Sequence, residues 1–148
     1  MGSTTAAGTA LAITAAKPAT RDAAGYGALT FTEIGGIEKI GTIGASFAKV
    51  EFQPLKGPKV KHKGSVDYGS LAPTLAHDDA DAGQNLLRAS AASNAEYTFM
   101  VTLPDGAIRY FEGRTFGYPE AIEGADTIVM ATPTVEINTE IVKVAAPA

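Results

Sequence analysis

A chain of 148 residues has room for one domain with a proper core and not for two. Hydrophobic residues at 45% against 19% charged describe a folded protein, and the absence of cysteine excludes disulfides, thiolate metal sites and a cysteine nucleophile. The net charge of −4 argues against a dedicated nucleic-acid binder, and no apolar run reaches the roughly 18 residues that a membrane-spanning helix needs.

The first 27 residues are small and rich in Gly, Ala and Thr, with Lys17, Arg21 and Asp22 as their only charges. Such a segment buries little by itself, so residues 1–27 are expected to form an arm against a partner surface, with ALAIT at 10–14 as one short strand. No basic residue precedes its apolar patch, so a signal peptide is not expected.

From Ala28 the pattern is β. ALTFTEI alternates and ends at the turn pair Gly35 and Gly36, and TIGASFAKVEFQPL continues as a second strand-like run that stops at Pro54. The stretch 53–65 then holds two prolines, two glycines and four lysines, which forbids a central strand. It predicts an exposed loop or a protruding hairpin built from Gln53, Pro54, Leu55, Lys56, Gly57, Pro58, Lys59, Lys61 and Lys63.

One convincing helix is predicted near 79–92, with Leu86 and Leu87 on its apolar stripe and Arg88 in its last turn. Two strands follow, 96–103 and 107–117, joined by the turn residues Pro104, Asp105 and Gly106. Tyr97, Phe99 and Val101 alternate with Thr98, Met100 and Thr102, so one face of this hairpin is expected to enter a core. A polar loop and one long strand or two, divided at Pro133, complete a single β domain over residues 28–144 with a loose tail at 145–148.

Chemistry would first be sought at His77, Asp78, Asp79 and Asp81. Counted as a calcium loop from Asp78, the third and fifth positions are Ala80 and Ala82; counted from Asp79, the twelfth is Ser90. Neither register supplies the ligands, and the second histidine, His62, sits among lysines that disfavour a zinc ion. A hydrolase elbow and the phosphate-binding glycine motifs are absent too. The acids at Asp78 and Asp79 read instead as the helix N-cap and first turn, where carboxylates complement unpaired N–H groups and the helix dipole. No catalytic residue, metal or cofactor is therefore expected.

Charge is distributed unevenly. Residues 49–63 carry five lysines against Glu51, whereas residues 96–148 carry eight acids and three bases. A basic loop and an acidic surface on one chain point to self-association.

The order of these features, with the hairpin residues Phe99, Leu103, Pro104, Asp105, Gly106, Tyr110, Phe111 and Gly113, resembles the tail tube proteins (major tail proteins) of long-tailed, non-contractile bacteriophages, the siphophages. The resemblance implies a mainly β fold, a β-sandwich or barrel of antiparallel strands flanked by one short α-helix. It implies hexameric rings stacked into a hollow tube through which DNA passes without specific binding, and no enzymatic activity. Partners would be further copies, the tail terminator, the tape-measure and the baseplate or tip proteins; no membrane would be involved. The place would be the virion tail, assembled in the bacterial host cytoplasm. On this footing the loop at 53–65 is expected to reach the next ring, and Glu38, Glu51, Asp67 and Glu136 are the candidates for an acidic lumen. A ring-forming tube protein of a contractile injection or secretion system is the alternative, and a monomeric binding or enzymatic domain using the cluster at 77–81 is a third reading.

Overall fold

A computed structural model describes residues 3–146, so part of the tail expected at 145–148 lies outside the described residues. The chain builds two antiparallel sheets, a separate two-stranded ribbon and two helices. The mainly β expectation stands, with one helix more than the sequence suggested.

The larger sheet is assembled around the predicted hairpin. Strands β8 (Tyr97–Thr102) and β9 (Ile108–Thr115) pair in register with Phe99 opposite Phe111. Their turn closes by a bond from the Gly106 N–H to the Leu103 carbonyl, 2.9 Å, while the Asp105 carboxylate accepts from the Ala107 N–H. Gly106 has φ 96°, a left-handed conformation that an L side chain resists. Strand β1 (Ala10–Thr14) lies against β8, with β2 (Thr32–Glu33) beyond it; β12 (Val135–Ile137) and β13 (Val142–Val144) pair with β9, and β6 (Ser70–Leu71) closes the far edge. The smaller sheet has the order β10 (Glu120–Ala121), β11 (Met130–Ala131), β7 (Thr74–Ala76), β3 (Ile37–Lys39).

The final run divides at Pro133 and again between Ile137 and Val142, so it holds three strands where one or two were expected. Pro has no N–H for a ladder, and here the chain leaves the smaller sheet after Ala131 and enters the larger at Val135. One buried cluster joins both sheets: Leu11, Ile13, Phe99, Phe111 and Val135 from the larger, Leu75 and Ala131 from the smaller. Phe99 and Phe111 stack at 5.5 Å between centroids inside it.

Helix α2 (Ala82–Ala92) adds Leu87 to this cluster and packs on β1, β2 and β9. Its approach is close, because a Cβ on Gly83 would stand 2.1 Å from the Glu33 carbonyl oxygen. The N-cap is Asp81, not Asp78 or Asp79. Asp81 Oδ2 accepts from the Gln84 N–H at 2.9 Å and from the Gly35 N–H at 3.0 Å. Asp78 is spent one turn earlier, its carboxylate accepting from the Ala80 N–H, and Asp79 turns outward to His77. Of the three acids only Asp81 accepts from the N–H three residues on, that of Gln84, so it alone caps this helix. The spacing Asp81-x-x-Gln84 carries that signal in the sequence.

Two expectations for the N-terminal half change. The strand at 10–14 forms as expected, yet its partner surface is the chain's own sheet: β1 is an inner strand, and Leu11, Ala12 and Ile13 are buried. The residues after it cross the opposite face of that sheet through a short helix, α1 (Ala23–Gly27), capped by Asp22. The second change concerns the run at 43–52, expected as a sheet strand. It forms β4 (Ser46–Phe52), which pairs only with β5 (Val60–Asp67) and belongs to neither sheet.

Candidate assembly surface

Among the described residues the β4–β5 ribbon and its tip hold most of the exposed large apolar side chains, the others being Phe116, Ile122 and Ile128. Every residue of β4 is exposed, as is every residue of β5 except the half-buried Gly64. Phe47, Val50, Phe52, Val60 and Val66 all face solvent, and Leu55 at the tip is fully exposed. Single exposed apolar residues are ordinary; a contiguous set on one ribbon is a surface awaiting a partner.

Register sorts the ribbon into two faces. Val50 stands opposite His62 and Phe52 opposite Val60, and since opposed residues share a face, these four lie together. On the other face Lys49 opposes Lys63 and Glu51 opposes Lys61. Charges there are partly matched: the Glu51 carboxylate takes Lys49 Nζ at 2.9 Å and Lys59 Nζ at 3.4 Å, and Lys63 Nζ sits 4.9 Å from the centre of the Phe47 ring. These are exposed contacts and contribute roughly 0–1 kcal/mol each.

The predicted contact residues thus belong to one feature with two parts. Gln53, Pro54, Leu55, Lys56, Gly57, Pro58 and Lys59 form its tip, closed by Gln53 Nε2 donating to the carbonyls of Pro54 and Gly57 at 3.0 and 3.1 Å. Lys61 and Lys63 stand on β5. The four candidate acids are not gathered: Glu38 lies in the smaller sheet, Glu51 and Asp67 in the ribbon, Glu136 in the larger sheet. Glu51 is neutralised by its lysines, and Asp67 accepts from the Gly69 N–H at 2.9 Å.

The cluster at 77–81 is a local brace. His77 Nε2 meets Asp79 Oδ1 at 2.8 Å, and its ring packs edge-on to Tyr118 at 6.2 Å, with Arg88 over the same tyrosine. Burial pushes the Tyr118 phenol up from its ordinary value, partly offset by the hydrogen bond from Arg88. Beneath it the wholly buried Gln84 amide donates to the carbonyls of Gly35 and Ala76 at 2.8 and 2.9 Å and accepts from the Asp78 N–H at 2.8 Å. Among the described residues no three His, Cys, Asp or Glu side chains stand together as metal ligands.

A buried carboxylate that sequence reasoning passed over anchors the segment across the sheet. Glu112 is 1% exposed, takes Arg21 Nε at 2.7 Å and accepts from the Tyr26 hydroxyl at 3.2 Å. Tyr26 stacks on Tyr110 at 5.0 Å, and Thr98 Oγ1 donates to the Ala16 carbonyl at 2.8 Å. The hydrogen bond and charge of Glu112 raise the Arg21 guanidinium further, and burial raises the Tyr26 phenol. The only signal for this was an acid inside a strong strand pattern, which ordinarily marks a solvated face.

No family model matches the chain, and no curated protein matches it in sequence. Solved structures do. The chain is similar to a chain of the anti-feeding prophage (AFP) baseplate, with a TM-score of 0.64 at 7% identity over 95% of this chain and 93% of that one. It is similar also to the SPP1 tail tube, with a TM-score of 0.65 at 13% identity over 91% of this chain and 75% of that one. At such identities the shared property is architecture, and the fold is tail-tube-like.

Proposed function

We propose that this chain is the structural subunit of a siphophage tail tube. Copies close into hexameric rings, the rings stack into a hollow tube, and DNA passes through the lumen without specific binding. The subunit carries no catalytic activity; its partners are further copies, then the terminator, tape-measure and baseplate or tip proteins, in a virion assembled in the host cytoplasm. The observation that carries this reading is the exposed β4–β5 ribbon, with its apolar and lysine faces, on a tail-tube-like fold. A ribbon of two strands is marginally stable alone in water, so a neighbouring surface is what gives it a fixed place.

The likeness to the AFP baseplate favours a second reading, a ring-forming subunit of a contractile injection system. Both readings require self-association and differ in the machine that the ring joins. Negative-stain microscopy of the concentrated protein tests the common part: rings or tubes support it, and a monomer at every concentration overturns it. Copurification with a contractile sheath would decide for the second reading.

A further inference from the structure

We infer that the cavity between the β8–β9 hairpin and residues 37–43 binds a small amphiphilic anion, an apolar chain with a carboxylate at one end and a hydroxyl at the other. The site does not depend on the assembly proposed above.

This partly open cavity holds about 640 Å³, the size of a small-molecule site. Val101 and Leu103 come to it from the hairpin, Ile37 and Ile40 from β3 and the residue after it, and all four belong to the common core or pack on it. Two polar groups in the lining lack partners. Arg109 is half-buried, yet among the described residues no carboxylate pairs with it, and its guanidinium donates only to the neighbouring Ile108 carbonyl, from Nη1 at 3.2 Å. The Thr9 hydroxyl is shut off from water and has no hydrogen-bond partner. Such groups ordinarily find partners inside a protein, so each marks a place where a bound molecule completes the wall.

Charge selects the head group. Glu38 and Lys39 also line the cavity, both exposed, and cancel each other, which leaves the single charge of Arg109. A guanidinium fork matches a carboxylate in shape and charge, whereas a doubly charged phosphate would keep one charge unmatched beside Glu38. Register sets the spacing. Val101 stands opposite Arg109 on one side and Leu11 on the other, and Thr9 lies two residues before Leu11. Arg109 and Thr9 are therefore two strands apart, about 10 Å, on either side of the β8 end of the hairpin. A ligand that reaches both lays an apolar chain of medium length over Val101 and Leu103.

Titration calorimetry of the full chain with ω-hydroxyoctanoate, octanoate and octylamine tests the site. The hydroxy acid should bind saturably, octanoate about two- to tenfold more weakly for the lost hydrogen bond, and octylamine not at all. Arg109→Gln should weaken the hydroxy acid by about tenfold or more, Arg109→Lys by less, and Thr9→Val should make the two acids bind equally, each with the circular dichroism of wild type. On the wild-type chain, no saturable binding of either acid, or octylamine bound as tightly as octanoate, overturns the site, as does unchanged affinity in Arg109→Gln. Equal binding of the two acids by wild type overturns the role of Thr9 and leaves the carboxylate site standing.

Discussion

The strip of larger sheet around Glu112 and the β4–β5 ribbon are both antiparallel hairpins of similar length, and they treat water in opposite ways. The first is covered on both faces: Phe99 and Phe111 enter the common core, while Thr98, Tyr110 and Glu112 on the reverse are closed over by the segment carrying Arg21 and Tyr26. The second is covered on neither, though it has Phe47, Val50 and Phe52 to offer. Hydrophobic content therefore does not decide what is buried in this chain. What separates the two is whether the same chain supplies a lid.

That difference predicts where substitutions cost folding stability. The largest loss belongs to the covered strip: Phe111→Ala empties a wholly buried ring site and should cost about 3–5 kcal/mol in chemical denaturation. Next comes Glu112→Ala. Arg21 is 64% exposed and can turn to water, but the Tyr26 hydroxyl loses its acceptor inside the protein, a cost of about 1–3 kcal/mol. Glu112→Gln keeps an acceptor and should lose less. A loss near zero in both variants would mean that Glu112 does not hold the lid.

The helix start gives a finer comparison. Asp81→Ala removes the cap and leaves the Gln84 and Gly35 N–H groups without their carboxylate, so it should cost about 0.5–2 kcal/mol. Asp79→Ala, at an 88% exposed side chain, should stay within about 0.5 kcal/mol. The reverse order would return the cap to the earlier acid. The other helix cap adds a pH effect. The Gly25 N–H and Thr20 hydroxyl hold the Asp22 carboxyl below its ordinary value, so its contribution is present above the ordinary aspartate range and is lost as pH falls through the lowered value. Acid titration of Asp22→Asn beside wild type should show the two stability curves converging at the acid end.

These cases also mark how far the sequence could be read. The β8–β9 hairpin was legible because strand alternation, Pro104, Asp105 and Gly106 all express local preferences. The protruding lysine stretch was legible for a similar reason, since Pro, Gly and like charges exclude a central strand wherever they occur. Three features were not. Residues 10–14 look weakly apolar in isolation and become an inner strand through pairing with residues 98–102, far along the chain. Thr98 and Glu112 look like a solvated face until a distant segment covers them. The run at 43–52 has the composition of a sheet strand, and only the topology leaves it outside both sheets. In the first two cases the deciding partner is remote in sequence, and in the third the run pairs only with the strand next to it; periodicity carries no information about which remote partners a strand finds. The helix start differs, because Asp81-x-x-Gln84 is a local signal that stands directly after the denser acids Asp78 and Asp79.

The smallest expected effect on folding comes from the ribbon, and it is the sharpest test of the contrast. Lys59→Glu with Lys61→Glu reverses two charges on exposed side chains that no core contact depends on, so the denaturation midpoint should move by no more than about 0.5 kcal/mol equivalent. The same double change takes residues 49–63 from +4 to neutral, which removes the attraction between ribbon and acidic body, and assembly measured by sedimentation should fail. Phe52→Ser should behave alike for a different reason: the ring is 61% exposed in the single copy, so folding gains little from it, and its apolar area counts only when a neighbour covers it. A large stability loss in either variant would mean that the ribbon is part of the fold after all. Normal assembly in both would mean that its exposed face meets no second copy. Loss of assembly with folding intact is the outcome that an uncovered hairpin on a closed body requires.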